Sequence, residues 1–379
     1  MSIYLDNAAT TQVCPEAAAA AMEAMTVCYG NPSSTHRMGR EAKKRLNSAR
    51  AVIARALGCA PEEFCFTSCG SEGDNWALLK GAELQGRFGK HIISSAAEHP
   101  AVLRTLEHLE GKGWTVTLLR PEASGSIALE SVLGALQEDT SLVSLMLVNN
   151  ETGAVTDIAA IAAAVKQRNS HILFHTDAVQ AFLKIPFTAP ALGADLITVS
   201  GHKIHAPKGI GGLFIRKGLR LPPLILGGGQ EGGRRSGTES LPLIAAFSAA
   251  VSAALPQLEE DIRRISALRA GAAERLKAEI PELLVLGGGA PQILSLSLPG
   301  WRSEVLMNFL EAREIYVSKS SACKKGGRSQ VLSAMGLKNE VIDGAIRVSL
   351  SRFTTEEEMD CFCGALAEAR HSLRASVRR

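Results

Sequence analysis

The sequence predicts an α/β protein, with a mostly parallel sheet covered by helices on both faces and joined to a smaller α+β unit. Three observations carry this. Short β-rich runs alternate with helical runs through the first half of the chain, the pattern that builds parallel sheets. Near residue 258 the texture changes to a long charged helix followed by more widely spaced strands. The chain has 379 residues, room for two or three cores at roughly 150 residues per domain.

Taken in order, the elements support that reading. EAAAAAMEAM (16–25) has high helix propensity, and Glu41 to Leu57 places apolar residues at helical spacing before Gly58, so two helices flank the loop GNPSSTHRMG. Strand EFCFTS then leads into a helix from about Glu72. HIISS is followed by the helix AVLRTLEHLEG, then TVTLL; SLVSLMLV by the helix IAAIAAAVKQR; then come HILFHTD, LITVSG and GGLFIR. Ligands of such sheets gather at the carboxyl ends of the strands. Beyond residue 258 the helix QLEEDIRRISALRAGAAERLKAEI precedes strands ILSLSL and EIYVSK, a Gly/Lys-rich loop, a helix, strand AIRVSLS and a last helix. That last helix opens on TTEEE, where Thr354 or Thr355 fits a capping box.

Composition excludes several functions. Apolar residues make up 46% and charged residues 21%, the balance of a globular chain rather than a disordered or fibrous one. Lys plus Arg exceeds Asp plus Glu by 41 − 38 = 3, too even to mark a nucleic-acid binder, and 4% aromatics leave few rings for stacking bases. The longest apolar stretch, Leu243 to Leu255, is interrupted by Ser248 and Ser252 and falls short of the roughly 20 residues of a membrane span, so it reads as a buried helix. The N-terminus lacks a basic start followed by an apolar run, and with eight cysteines in the chain a reducing cytoplasm is expected. Neither Cys65/Cys69 nor Cys361/Cys363 has a second pair to complete a zinc site, so no metal is expected; six or seven of the eight cysteines read as buried small hydrophobes.

Chemistry is expected where glycines cluster at strand ends. Lys203, in Ser200-Gly201-His202-Lys203 after the strand LITVS, sits where a depressed amine pKa would allow Schiff-base chemistry; the plain alternative is a surface lysine opening a loop. Asp177, ending HILFHTD, could hold a protonated pyridine nitrogen or cap a following helix. Thr67 to Glu72 opens a helix whose backbone N–H groups, with the Ser71 hydroxyl, would make a phosphate cup. Together these are the three anchors of a pyridoxal phosphate site.

The anchors belong to a longer series. LDNAATT, GNPSSTH, FTSCGSEGDN, EHPAV, VNNETG, HTDAVQ, SGHKIHAPKGIG, GGGQEGGRRSGT, SSAC and IRVSLSRFTTEEE resemble, in this order and over essentially the whole chain, the cysteine desulfurases of the class V aminotransferase superfamily. The resemblance implies a fold-type I pyridoxal-phosphate transferase. Its large domain (15–258) would carry a mostly parallel seven-stranded sheet, and its small domain (1–14 and 259–379) a mobile loop at about 318–330 bearing the catalytic cysteine. It further implies that Lys203 bonds the cofactor, that His99 stacks on its ring and takes part in proton transfer, that Asp177 pairs with the ring nitrogen and that Gln180 meets its phenolic oxygen. Gly70, Ser71, Ser200 and His202 match phosphate or cofactor ligands. Thr238 matches a residue that reaches the phosphate from a neighbouring subunit, which makes a homodimer the expected state. Asn150 and Arg347 match the groups that grip the substrate carboxylate; the alternative for Arg347 is an inter-element salt bridge.

Cys323 decides the activity. It sits among small polar residues and glycines, and Lys324, Lys325 and Arg328 favour its thiolate. The implied reaction removes sulfur from L-cysteine, giving L-alanine and a Cys323 persulfide that passes to an acceptor protein, such as an iron–sulfur scaffold, or to a thiolation pathway. A selenocysteine lyase or an ordinary class V aminotransferase is the enzymatic alternative, and a cofactor-free scaffold the non-enzymatic one. The chain departs from the family at Cys69-Gly70, where two small residues are usual, at Ser71 for threonine, at Gly73 for serine and at Lys319-Ser320 for Ser-Gly.

Overall fold

The computed structural model describes residues 2–320 and 327–373. Seven strands form the main sheet, in the spatial order Phe64–Thr67, Gly211–Ile215, Leu196–Ser200, Leu173–Asp177, Thr140–Ser144, His91–Ser95 and Thr115–Leu119. All pairings are parallel except those of Gly211–Ile215, which runs antiparallel to both neighbours. These are the seven β-rich runs of the sequence. The six from Phe64–Thr67 to His91–Ser95 are buried at every residue, which is why they read as near-continuous apolar runs, and only the edge strand Thr115–Leu119 is partly exposed.

Helices cover both faces. Pro15–Thr26, Arg37–Leu57, Ile158–Arg168 and Leu241–Ala254 share one core with the sheet, and Gly70–Gln85 and Pro100–Glu110 share another across it. The helix expected from Glu41 starts four residues earlier, because His36 Nδ1 accepts a hydrogen bond from Gly39 N at 3.3 Å and acts as the N-cap. Gly58, at φ 68°, ends that helix in the left-handed conformation that suits glycine. Leu241–Ala254 buries eight of its fourteen residues, as expected of a core helix.

The second layer is a four-stranded antiparallel sheet, ordered Ser318–Lys319, Ala345–Ser349, Ile293–Ser297 and Leu284–Val285. The N-terminal strand Ile3–Tyr4 runs parallel to Ile315–Tyr316, and Asp6 then bridges to Ser349. Leu258–Glu279, Ser303–Glu311 and Glu356–Ser372 bury this sheet's apolar side. The last of these has the expected capping box, formed by Thr355 and Glu358. The two layers meet at Gly153, φ 71°, where an added Cβ would lie 2.9 Å from the Ile293 Cβ.

Burial accounts for fewer cysteines than expected. Cys14, Cys65 and Cys363 are buried, Cys28, Cys59 and Cys69 are half-buried, and Cys361 is exposed. Cys14 and Cys69 are helix N-caps, Cys28 and Cys59 follow helix ends, and Cys361 and Cys363 sit two residues apart on one helix, so local sequence does not fix the burial of these thiols. Burial pushes the Cys59 thiol up to about 12 and the Cys363 thiol up to about 11, which keeps both protonated.

Candidate active site

Strand ends build the site. Leu173–Asp177 delivers Asp177 into the interior, where Oδ1 accepts from Val179 N at 2.8 Å. Residues 178–184 form turns rather than a helix, so Asp177 caps no helix. Burial raises its pKa, while the Val179 N–H and the charge of Lys203 hold the carboxylate against that rise. The neighbouring strand Leu196–Ser200 ends in the tight turn Gly201–Lys203. Lys203 Nζ donates to the carbonyls of Ala8 and Ala9, both at 2.7 Å, tying the N-terminal segment to the sheet. His202 Nδ1 lies 3.2 Å from Thr10 Oγ1, and burial, with the charge of Lys203 next, drives its pKa down to about 3, so it stays neutral.

His99 is the N-cap of Pro100–Glu110. Its Nδ1 accepts from Ala101 N at 3.1 Å, and burial lowers its pKa. A ring nitrogen that accepts carries no proton, so the proton of the neutral ring sits on Nε2.

The third anchor is the start of Gly70–Gln85, after Phe64–Thr67. Cys69 is its N-cap in extended conformation, and Glu72 is drawn aside by Ser68 N at 2.8 Å and Arg235 Nε at 2.9 Å. With that carboxylate engaged, the helix N-terminus presents N–H groups suited to an anion. Gly70 keeps the cup open: a Cβ there would meet Val179 Cγ2 at 2.8 Å. Gly73, a departure from the family, is explained by packing, since a Cβ would meet Thr198 Cγ2 at 2.7 Å.

Arg347 comes from the second sheet. It is almost wholly buried, with Nη1 donating to the Asn150 carbonyl at 2.8 Å and Nη2 to Asp6 Oδ1 at 2.9 Å. It is therefore an inter-element ion pair, and the same guanidinium lines the site. Its Nε has no hydrogen-bonding partner among the described residues.

These pieces surround one cavity of about 320 Å³. Gly70, Ser71, His99, Asn150, Asp177, Gln180, Ser200, His202, Lys203 and Arg347 all line it. Ser200 Oγ is buried there with no partner among the described residues, an unmet donor beside the helix start. A carboxylate deep in the cavity, an amine on its wall and an anion cup at one end fit pyridoxal phosphate. Thr238 is exposed and lines a different cavity, with Thr67, Ser68 and Arg235. Cys323 lies outside the described residues. The strand before it pairs Ser318 with Arg347, and Ser329 after it donates to the carboxylate of Glu151, next to Asn150.

Several residues of the site escaped the sequence reading. Asp74, one turn into the phosphate-cup helix, lines the cavity and faces His175 Nε2 at 3.6 Å. The signal for it was its place in FTSCGSEGDN, four residues after Gly70 and hence on the same helix face. Asp6 and Glu151 carried no such signal beyond lying inside LDNAATT and VNNETG.

The chain matches the aminotransferase class-V family over residues 3–362. It is 42% identical over 378 residues to the cysteine desulfurase of Trichormus azollae, covering 98% of this chain and 94% of that protein. Among solved structures, a NifS-like protein superposes with a TM-score of 0.93 at 38% identity, covering 98% of this chain and 100% of that one. SspA in complex with cysteine superposes with a TM-score of 0.78 at 32% identity, over 93% of this chain and 100% of that one.

Proposed function

The chain belongs to the aminotransferase class-V family, and on that premise we propose how its residues carry out the reaction. It is a pyridoxal-phosphate-dependent L-cysteine desulfurase. Bound in the cavity, the cofactor supplies an aldehyde for the substrate amine and a ring that draws electrons from the adjacent carbon. Lys203 holds the cofactor, and its Nζ, once released as a neutral amine, takes the substrate α-proton. Asp177 keeps a negative charge against the ring nitrogen. His99 would stack on the cofactor ring, and its Nε2 proton would be available for donation. Arg347 and Asn150 grip the substrate carboxylate: both line the cavity, and the guanidinium, oriented by Asp6, keeps further N–H groups of the kind a carboxylate accepts from. Gly70, Ser71, Ser200 and His202 hold the phosphate end.

Cys323 attacks the substrate sulfur as a thiolate. The carbon–sulfur bond breaks, a sulfur–sulfur bond forms on Cys323, and the carbon skeleton leaves as L-alanine after taking up a proton. The persulfide then passes to an acceptor protein, for which we propose an iron–sulfur scaffold or a thiolation partner. We further propose a homodimer working in the cytoplasm: Thr238 is exposed and away from its own cavity, which suits a residue that serves the partner's phosphate. As for the large and small domains, we assign 15–258 to the first and 1–14 with 259–379 to the second.

One observation carries the mechanism: the strand-end lysine, the strand-end aspartate and the helix-start cup, far apart in sequence, line a single cavity with Arg347 at its edge. Intact mass after adding L-cysteine without reductant tests it. The chain gains one sulfur, and Cys323→Ser abolishes that gain while keeping the visible absorption of the bound cofactor. An unchanged gain in Cys323→Ser would sink the persulfide step, and a cofactor that borohydride still fixes covalently to the chain in Lys203→Ala would sink the assignment of the lysine.

A further inference from the structure

Lys184 has no part in the scheme above, yet it bonds to a residue that lines the site. The turn after Asp177 ends with Leu183 at φ 55°, a left-handed conformation that bulky side chains rarely adopt. That turn directs Lys184 into the crevice between the two sheets, lined also by Asn7, Thr11, Lys203 and Gln292. There Lys184 Nζ donates to Gln180 Oε1 at 3.1 Å. The other end of the same amide, Nε2, donates to the Ala8 carbonyl at 2.8 Å, which also accepts from Lys203.

Both contacts are one-sided: a carbonyl only accepts, and an ammonium only donates. An unrestrained glutamine amide has two nearly equivalent orientations, and this pair of partners selects one. No carboxylate forms an ion pair with Lys184 among the described residues. Its charged neighbours are Lys203, Arg347 and, across the crevice, Arg352, with His202 and His205 alongside and Asp261 in the same lining. Burial, with the charges of Lys203 and Arg347, pushes its pKa down to about 7; the ammonium below that value only donates, whereas the neutral amine can also accept.

We propose that Lys184 is a positioning residue: by holding Gln180 Oε1 it keeps the amide nitrogen turned as a donor toward the phenolic oxygen of the bound cofactor. This rests on the role of Gln180 proposed above. A donor at that oxygen favours its more negative form, so losing the donor raises the pH at which the cofactor's visible band titrates.

The holoenzyme's visible spectrum, titrated with pH, tests this in a double-mutant cycle. Lys184→Met is expected to raise the midpoint by about one pH unit, and Gln180→Ala to raise it similarly. Adding Lys184→Met to Gln180→Ala then moves it no further, and Lys184→Arg, which keeps a donor, restores the wild-type midpoint. Equal shifts from Lys184→Met with and without Gln180 would mean that its charge acts directly, and overturn the proposal, as would no shift from Lys184→Met alone. An unmoved midpoint in Gln180→Ala removes the role of Gln180 itself, and the inference with it. If Lys184→Met fails to fold, Lys184→Gln, which lacks the charge and the reach, takes its place in the same cycle.

Discussion

Gly70 shows how little room the site leaves. The missing side chain lets the start of the phosphate-cup helix lie against Val179, two residues beyond Asp177, and a Cβ would come within 2.8 Å of Val179 Cγ2. Valine has one strongly preferred rotamer and gives way poorly. In Gly70→Ala, therefore, the turn after Asp177 must shift, and with it the distance between the anion cup and the carboxylate. We expect cofactor affinity to fall about tenfold, equivalent to about 1.4 kcal/mol. Titrating the apo chain with pyridoxal phosphate measures this. Val179→Ala in the same chain should return most of the loss, and failure of that rescue would place the damage elsewhere.

At the scale of elements, caps do work that propensity does not. Thr355 Oγ1 accepts from Glu358 N at 3.2 Å and the Glu358 carboxylate accepts from Thr355 N at 3.0 Å, so two of the orphan N–H groups of Glu356–Ser372 are met. Thr355→Ala is expected to lower stability by about 1 kcal/mol. Chemical denaturation detects that change, and it should leave the cofactor's absorption untouched, because this helix packs behind the second sheet rather than on the cavity. The cap was legible from TTEEE, and so were the seven strands, because strands buried on both faces must be written as apolar runs. The start of Arg37–Leu57 was not legible, since histidine is outside the usual set of N-caps. Nor were Lys184, Asp6 and Glu151, because a charged residue inside a fold is spelled like one on the surface. What brings them in is the packing of the second sheet against the first, through Arg347 and the N-terminal segment, and that contact joins residues more than 300 positions apart.

The whole molecule places several ionisable groups where water cannot solvate them, and their opposing signs set its response to acid. His175 is fully buried between Ser144 Oγ at 2.8 Å and Thr198 Oγ1 at 3.0 Å, and burial drives its pKa down to about 3. His202 and His205 follow, to about 3 and about 4, again chiefly through burial. For each, the folded value lies below the unfolded value of about 6.5, so the unfolded chain binds the proton first as pH falls. Their contribution to stability is complete above that value and is lost on acidification, by about 2 kcal/mol at pH 5 for a group shifted as far as His175. Glu151 runs the other way. Burial raises its pKa to about 7, so between about 4.5 and 7 the folded chain keeps a proton that the unfolded chain has released, and its contribution fades as pH rises. Asp74, Glu98 and Asp177 are buried carboxyls shifted upward in the same sense as Glu151, so the slope of the whole chain is a balance and single substitutions read each group's share. With excess cofactor, the change in melting temperature between pH 7 and pH 5 measures that balance. Relative to the unsubstituted chain, acidification should cost more stability in Glu151→Gln, which removes one opposing group, and less in His175→Gln. A slope indifferent to both substitutions would mean that these side chains titrate in the folded protein much as they do in the unfolded chain.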